Sequence, residues 1–309
     1  MRQTLSISID LDGPLEYHRI HGFSYDAANA YVMYQNPLNR FLNFCESLNI
    51  HATIFVISRD ITDFTKNILV KAMRDKHELA DHSAHHDFNL HRQTEETIVS
   101  NLESSKNKFK IFFDSSPSGF RAPAYLSSPV LLKQLSKNGF LYDSSYFPSP
   151  WYFLIKNAFL LYYKANNIPS ASSSHWANAF SSQKIHFLDK PCENLIEIPL
   201  STGRYRFPLT GATLLISPQP LRTMILKSLL PLTNIVLGLH IIEFCDLYTD
   251  KMHFNYQKHH PELKIPIETR MKILKSSVLF LMKNRINCTL KTLALDFKNG
   301  HDSLPASDF

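Results

Sequence analysis

Residues 52–57 read Ala-Thr-Ile-Phe-Val-Ile, a nearly continuous apolar run with no charge in it. Such a run suits a strand buried on both faces, as in a parallel sheet covered by helices. Upstream, LSISID (Leu5 to Asp10) alternates, is β-branched and short, and reads as a strand that ends at aspartates. Between the two, apolar positions recur at helical spacing from Ala27 to Leu48, which completes a β-α-β unit. The alternation continues with a helix near Phe64 to Arg74, a strand at Glu78 to Ala80, a helix near Thr94 to Phe112, a strand at Gly119 to Arg121 and a helix near Pro129 to Asn138. It resumes with a strand at Leu195 to Ile198, a helix at Leu221 to Leu230, a strand at Asn234 to His240 and a helix at Ile267 to Lys283. Strands alternating with helices predict an α/β fold built on a parallel sheet. Residues 146–191, rich in Ser, Asn and aromatics and carrying PSASSSHWANAFSSQK, predict a loop insertion. No repeat is visible, so residues 1–309 read as one barrel-like domain.

Composition narrows the chemistry. With 309 residues, 44% hydrophobic and 19% charged, the chain can bury a large core without staples. Its 8 glycines are widely spaced, which excludes a Rossmann fingerprint, a Walker A loop and a nucleophile elbow. Cys45, Cys192, Cys245 and Cys288 are too scattered for a CxxC motif and read as free thiols of a reducing compartment. The start, MRQTLSISIDLDG, reaches two aspartates before an apolar run of export-signal length, so a cytoplasmic protein is expected. The apolar stretches Trp151 to Tyr163 and Leu221 to His240 are interrupted by Lys156 and Asn157, and by Arg222, Lys227 and Pro231, and are too short to span a bilayer. The first remains a candidate for contact with a membrane surface or an acyl chain. The net charge of +6 comes without a recognition-helix or RNP-like pattern, so no nucleic-acid partner is expected; a solvated surface, an anionic substrate or a membrane face accounts for it.

Five polar motifs sit at successive strand ends, where parallel α/β folds place their active sites. The first is Asp10-Leu11-Asp12, followed by Gly13-Pro14. The second, Asp81 to Asp87, holds three histidines. His82 and His86 have the i, i+4 spacing that brings two imidazoles to one side of a turn, with His82 and His85 as the i, i+3 alternative; with one carboxylate, either pair would hold a divalent metal. His91 reads as surface. The third is Gly119 to Tyr125, where Arg121 can orient a carboxylate and backbone N–H groups after Pro123 can face a developing oxyanion. Tyr142-Asp143-Ser144-Ser145 and Leu239-His240 are the fourth and fifth. Together they supply metal ligands, a spare carboxylate, an arginine to hold it and a histidine acid, the parts of metal-assisted amide or ester hydrolysis.

In order and wording, IDLDGP, HSAHH, RAPAY, YDSS and GLH resemble the motifs of the polysaccharide deacetylases of carbohydrate esterase family 4, the NodB homology group, over roughly residues 1–297. HSxxH with RAP is the specific part. The chain is most similar to the branch whose first motif reads DxD or DxE instead of TFDDG. The resemblance implies a distorted, incomplete (β/α) TIM-like barrel and a hydrolase that removes an acetyl or formyl group from an amino sugar or surface-polysaccharide precursor. It implies that Asp12, His82 and His86 bind a divalent metal, usually Zn2+. It makes Asp10 the base, Arg121 its partner, the Tyr125 backbone N–H part of the oxyanion site, His240 the acid and Asp143 a support. A lipid-linked sugar would suit the aromatic segment Tyr146 to Tyr163. The competing readings are an amidase on a small non-sugar amide, favoured by a pocket without stacking aromatics, and a non-catalytic carbohydrate-binding barrel.

Overall fold

A computed structural model describes residues 2–22, 27–172, 176–250, 252 and 255–302. Among the described residues the strands are β1 (Thr4–Asp10), β2 (Ala52–Val56), β3 (Glu78–Asp81), β4 (Gly119–Phe120), β5 (Tyr142–Asp143), β6 (His186–Phe187), β7 (Ile196–Glu197), β8 (Asn234–His240) and β9 (Ile286–Asn287). They form one sheet in the order β6-β7-β5-β4-β3-β2-β1-β8, with β9 beside the start of β1. Every pairing is parallel except β6 with β7. β7 and β8 do not pair. The gap is crossed by irregular backbone, with the Ser201 N–H donating to the Val236 carbonyl at 3.0 Å and Thr210 bridging Gly238. The sheet is thus a curled, incomplete (β/α) barrel, as expected.

Two-residue periodicity sorts the strands' side chains. Ile7 and Ile9 of β1, Ile54 and Val56 of β2, and Ile235, Leu237 and Leu239 of β8 pack outward into one buried cluster with the helices Asn36–Leu48 and Ile267–Met282. The alternate positions face inward: Phe55, Ala80, Tyr142, Ile196 and Val236 form an inner cluster. On β1 the inward positions are Ser6, Ser8 and Asp10, all buried. Register places Asp10 between Phe55 and His240, so three chemically different side chains meet on the inner face of one sheet edge.

The departures from expectation have local causes. The helix expected from Ala27 begins only at Asn36, where Pro37 opens it; before it lie the short 3-10 turns Ala27–Asn29 and Val32–Tyr34. Within the expected loop segment 146–191, Pro150–Ala165 is a helix, capped by Ser149, whose hydroxyl accepts from the Tyr152 N–H. Residues 173–175 of its Ser-rich run lie outside the described residues. The helices Gly211–Ile216 and Leu290–Asp302 join the expected set. All four cysteines are free thiols, three buried and Cys288 half-buried. No helix among the described residues is long and apolar enough to cross a membrane.

Candidate active site

β1 ends at Asp10, and two residues later Asp12 lies opposite the loop after β3. That loop bends through left-handed backbone at Ser83 (φ 66°) and His86 (φ 51°), where non-glycine residues are uncommon. The Ser83 hydroxyl accepts from the His86 N–H at 3.0 Å and fixes the bend. As a result the Asp12 Oδ1 lies 3.4 Å from His82 Nε2 and 3.2 Å from His86 Nε2. Asp12, His82 and His86 are the one group of three such donors within metal-binding reach among the described residues, and all are buried. The Asp12 Oδ1 and both ring nitrogens of His86 have no hydrogen-bond partner. Buried polar atoms are rarely left so, and a cation on them would satisfy Asp12 and one nitrogen of each imidazole. His82 Nδ1 donates to the Arg121 carbonyl at 2.8 Å, an arrangement that presents Nε2 as the lone pair.

The electrostatics agree. Burial pushes Asp12 up, but the two imidazoles outweigh it and hold the carboxyl well below its ordinary value. Burial pushes His82 down, yet the Asp10 and Asp12 carboxylates outweigh it and raise the ring. The pocket attracts positive charge, so these residues fit a divalent cation.

Asp10 belongs to a second group. Arg121, fully buried, donates to the Asp10 Oδ1 at 2.7 Å, to the Ser8 hydroxyl at 2.9 Å, and to the Ser144 hydroxyl and carbonyl at 3.0 Å each. Its guanidinium lies 4.0 Å from the centre of the Phe55 ring. With Oδ1 anchored, Asp10 Oδ2 receives the Tyr125 hydroxyl at 3.3 Å and lies 3.7 Å from His240 Nε2. Burial pushes the Asp10 carboxyl up, but Arg121, His82 and His240 hold it below its usual range. His240 is the accessible member, its side chain 28% exposed.

One expected role comes out differently. The Tyr125 N–H is spent on the Ala122 carbonyl at 3.0 Å, because Pro123–Tyr125 is a 3-10 turn; what Tyr125 turns to the site is its hydroxyl. Asp143 falls on the opposite phase of β5 from Tyr142 and pairs in register with Glu197, away from the rim. Its carboxylate accepts from Ser145, whose hydroxyl in turn accepts from the Ala122 N–H at 2.8 Å, so Asp143 braces the RAPAY loop from below. His91, expected at the surface, is buried on the turn Leu90–Arg92, which packs against the helix Pro129–Lys137.

Ser8 and Arg59 lie outside the motifs, and Ser144, inside YDSS, is given no role of its own by the sequence. Ser8 shares the inward phase with Asp10, so buried serines alternating with isoleucines in LSISID were the available signal. Arg59 bridges Glu16 at 2.7 Å and Asp60 at 3.0 Å and donates to the His85 carbonyl at 3.2 Å, tying the loop after β1 to the histidine loop.

Comparison with known proteins bears on this geometry. Residues 23–142 match the family model for polysaccharide deacetylase, a span that includes HSAHH and RAPAY but neither aspartate of the first motif nor His240. Over its whole length the chain superposes on a Mycobacterium smegmatis protein assigned as a polysaccharide deacetylase, covering 95% of that chain at TM-score 0.63 and 15% identity. The chain carries the fold of the polysaccharide deacetylases. A Pseudomonas aeruginosa PAO1 protein with the same assignment agrees: 97% of this chain covers 92% of that one, at TM-score 0.61 and 11% identity. Comparison with curated protein sequences gives no match.

Proposed function

We propose that the protein is a divalent-cation-dependent hydrolase that removes an N-acetyl or N-formyl group from an amino sugar or a surface-polysaccharide precursor, with lipid-linked sugars among the candidates. One observation carries this reading: a buried Asp12–His82–His86 donor set opens beside an Arg121-anchored carboxylate that lies 3.7 Å from a part-exposed histidine. Two imidazoles and one carboxylate suit zinc and leave positions open. A bound cation supplies Lewis acidity toward an acyl carbonyl and acidifies water. Asp10 takes the proton of the attacking water at Oδ2, the oxygen that Arg121 leaves available. Arg121 keeps that carboxylate ionised and in place through four hydrogen bonds on three sides of its guanidinium. As the C–N bond breaks, His240 delivers a proton to the departing amine, and the acyl group leaves as acetate or formate.

Elemental analysis of wild type beside His82→Ala tests the reading. Near one equivalent of zinc or another first-row divalent ion, lost in the variant together with release of acetate or formate from an N-acylated sugar, is the expected result. No metal in either protein after incubation with several divalent ions overturns it.

A further inference from the structure

The helix Pro150–Ala165 is apolar on both sides. Phe153 and Tyr163 are buried beneath it, while Lys156 Nζ donates to the Ala124 carbonyl at 3.3 Å, so its inner side is docked on the RAPAY rim. Its outer side carries Trp151, Leu154, Ile155, Phe159 and Tyr162, between 46% and 55% exposed, at the i, i+3, i+4, i+8, i+11 spacing of one stripe. The stripe continues onto Tyr205, 75% exposed, whose carbonyl accepts from Trp151 Nε1 at 2.9 Å. A surface helix of a water-soluble protein turns charged residues outward; along this stripe there are none.

Charge supplies the second observation. No aspartate or glutamate occurs from Ser144 to Leu188 or from Ile198 to Ile242, although Asp+Glu number 27 in the chain. Lys164 lies in the last turn of the same helix and the Arg204 guanidinium lies 4.8 Å from the centre of the Tyr205 ring, so both adjoin the stripe, and neither has a carboxylate partner among the described residues. A face that is apolar and carries charge of one sign does not suit itself, because a symmetric contact between two copies would set like charges together.

We infer that this face seats the protein on an anionic phospholipid bilayer, with the helix lying in the interface plane and its apolar stripe at headgroup depth. The helix does not cross the membrane. Because its inner side rests on the RAPAY loop, the rim with Asp10 and His240 would stand next to the lipid surface.

The test uses the chain's own reporters. Its 2 tryptophans, Trp151 and Trp176, are 46% and 43% exposed; Trp151 belongs to the stripe and Trp176 packs against Phe153 of the same helix. Vesicles of phosphatidylcholine and phosphatidylglycerol in equal parts should shift their emission to the blue and sediment the protein, and salt should reverse both effects. In the double variant Leu154→Ser, Phe159→Ser, with an unchanged melting temperature, binding should weaken by about tenfold or more. No blue shift, or equal binding to phosphatidylcholine alone, overturns the inference. So does a wild-type dimer that the same variant converts to monomer without any vesicle binding, which would make the face a contact between copies. The inference does not rest on the proposed reaction: vesicle binding without hydrolysis, or hydrolysis without binding, separates the two.

Discussion

Two aspartates separated by one leucine differ in what they touch. Asp12 meets imidazoles on one side and Asp10 meets a guanidinium on the other, because β1 ends between them and the chain turns at Gly13. Asp10→Asn should therefore keep the cation and lower turnover by roughly two to four powers of ten, as for loss of a general base. Metal content and turnover measured on one preparation check this; an emptied site in that variant would mean that Asp10 is a ligand. The aspartates, histidines and arginine were legible in the sequence because each sits at the end of a readable strand. The roles of Ser8 and Ser144 were not, even with Ser144 inside YDSS, since a buried serine looks like any other until an arginine is seen to need it. Nor was the left-handed pair Ala124 (φ 57°) and Tyr125 (φ 61°), which turns the tyrosine hydroxyl and not its N–H toward Asp10.

At the scale of elements, the two-residue strands β4 and β5 depend on close approach. A Cβ at Gly119 would lie 1.9 Å from the Tyr142 ring, whose hydroxyl donates to Glu78 Oε1 at 2.8 Å. Gly119→Ala should push Tyr142 aside and break that bond, costing about 2–4 kcal/mol from overpacking and an unsatisfied buried carboxyl. Urea unfolding monitored by circular dichroism checks it, and a variant as stable as wild type would refute the contact. The helices Asp63–Arg74, Glu95–Phe113 and Ile267–Met282 and the strands β1, β2 and β8 were legible in the sequence. Of the two-residue strands, β4 and β7 were read from the sequence and β5 and β6 gave too little pattern, while β9 owes its existence to the edge of β1 at Thr4 and Leu5, which only the assembled sheet reveals. The helix Pro150–Ala165 was hidden for another reason. Apolar side chains surround it, so no helical periodicity separates an inner from an outer face.

Across the whole molecule, stability and pH are linked through buried carboxyls. Asp143 and Glu197 are neighbours in register and wholly buried; desolvation and then the Asp143 carboxylate raise Glu197 well above the ordinary range, and desolvation raises Asp143 to about 6. The folded pair thus binds a proton that the unfolded chain releases. A raised carboxyl contributes stability that is complete below its unfolded pKa and is lost as pH rises through its folded value. Glu197→Gln keeps an acceptor for the Tyr146 N–H and removes the ionisation, so it should melt higher than wild type at pH 8 and decline less between pH 5 and pH 8. Parallel melting curves for the two proteins across that interval would show that the pair does not hold the proton.

The order of the strands also sets an order of assembly. Asp12 follows β1, and His82 and His86 follow β3, so the donor set needs only the first three strands, which are adjacent in the sheet and close in sequence. Asp10 waits longer: Arg121 is 111 residues away, and His240 arrives only with β8, whose pairing to β1 begins with a contact across 230 residues. Contacts of such separation form late and slowly. A growing chain therefore completes its cation-binding half well before its acid and base can face each other, and an ion captured at that stage would favour the native pairing of β1 with β2 and β3 while the rest of the barrel is still to be made.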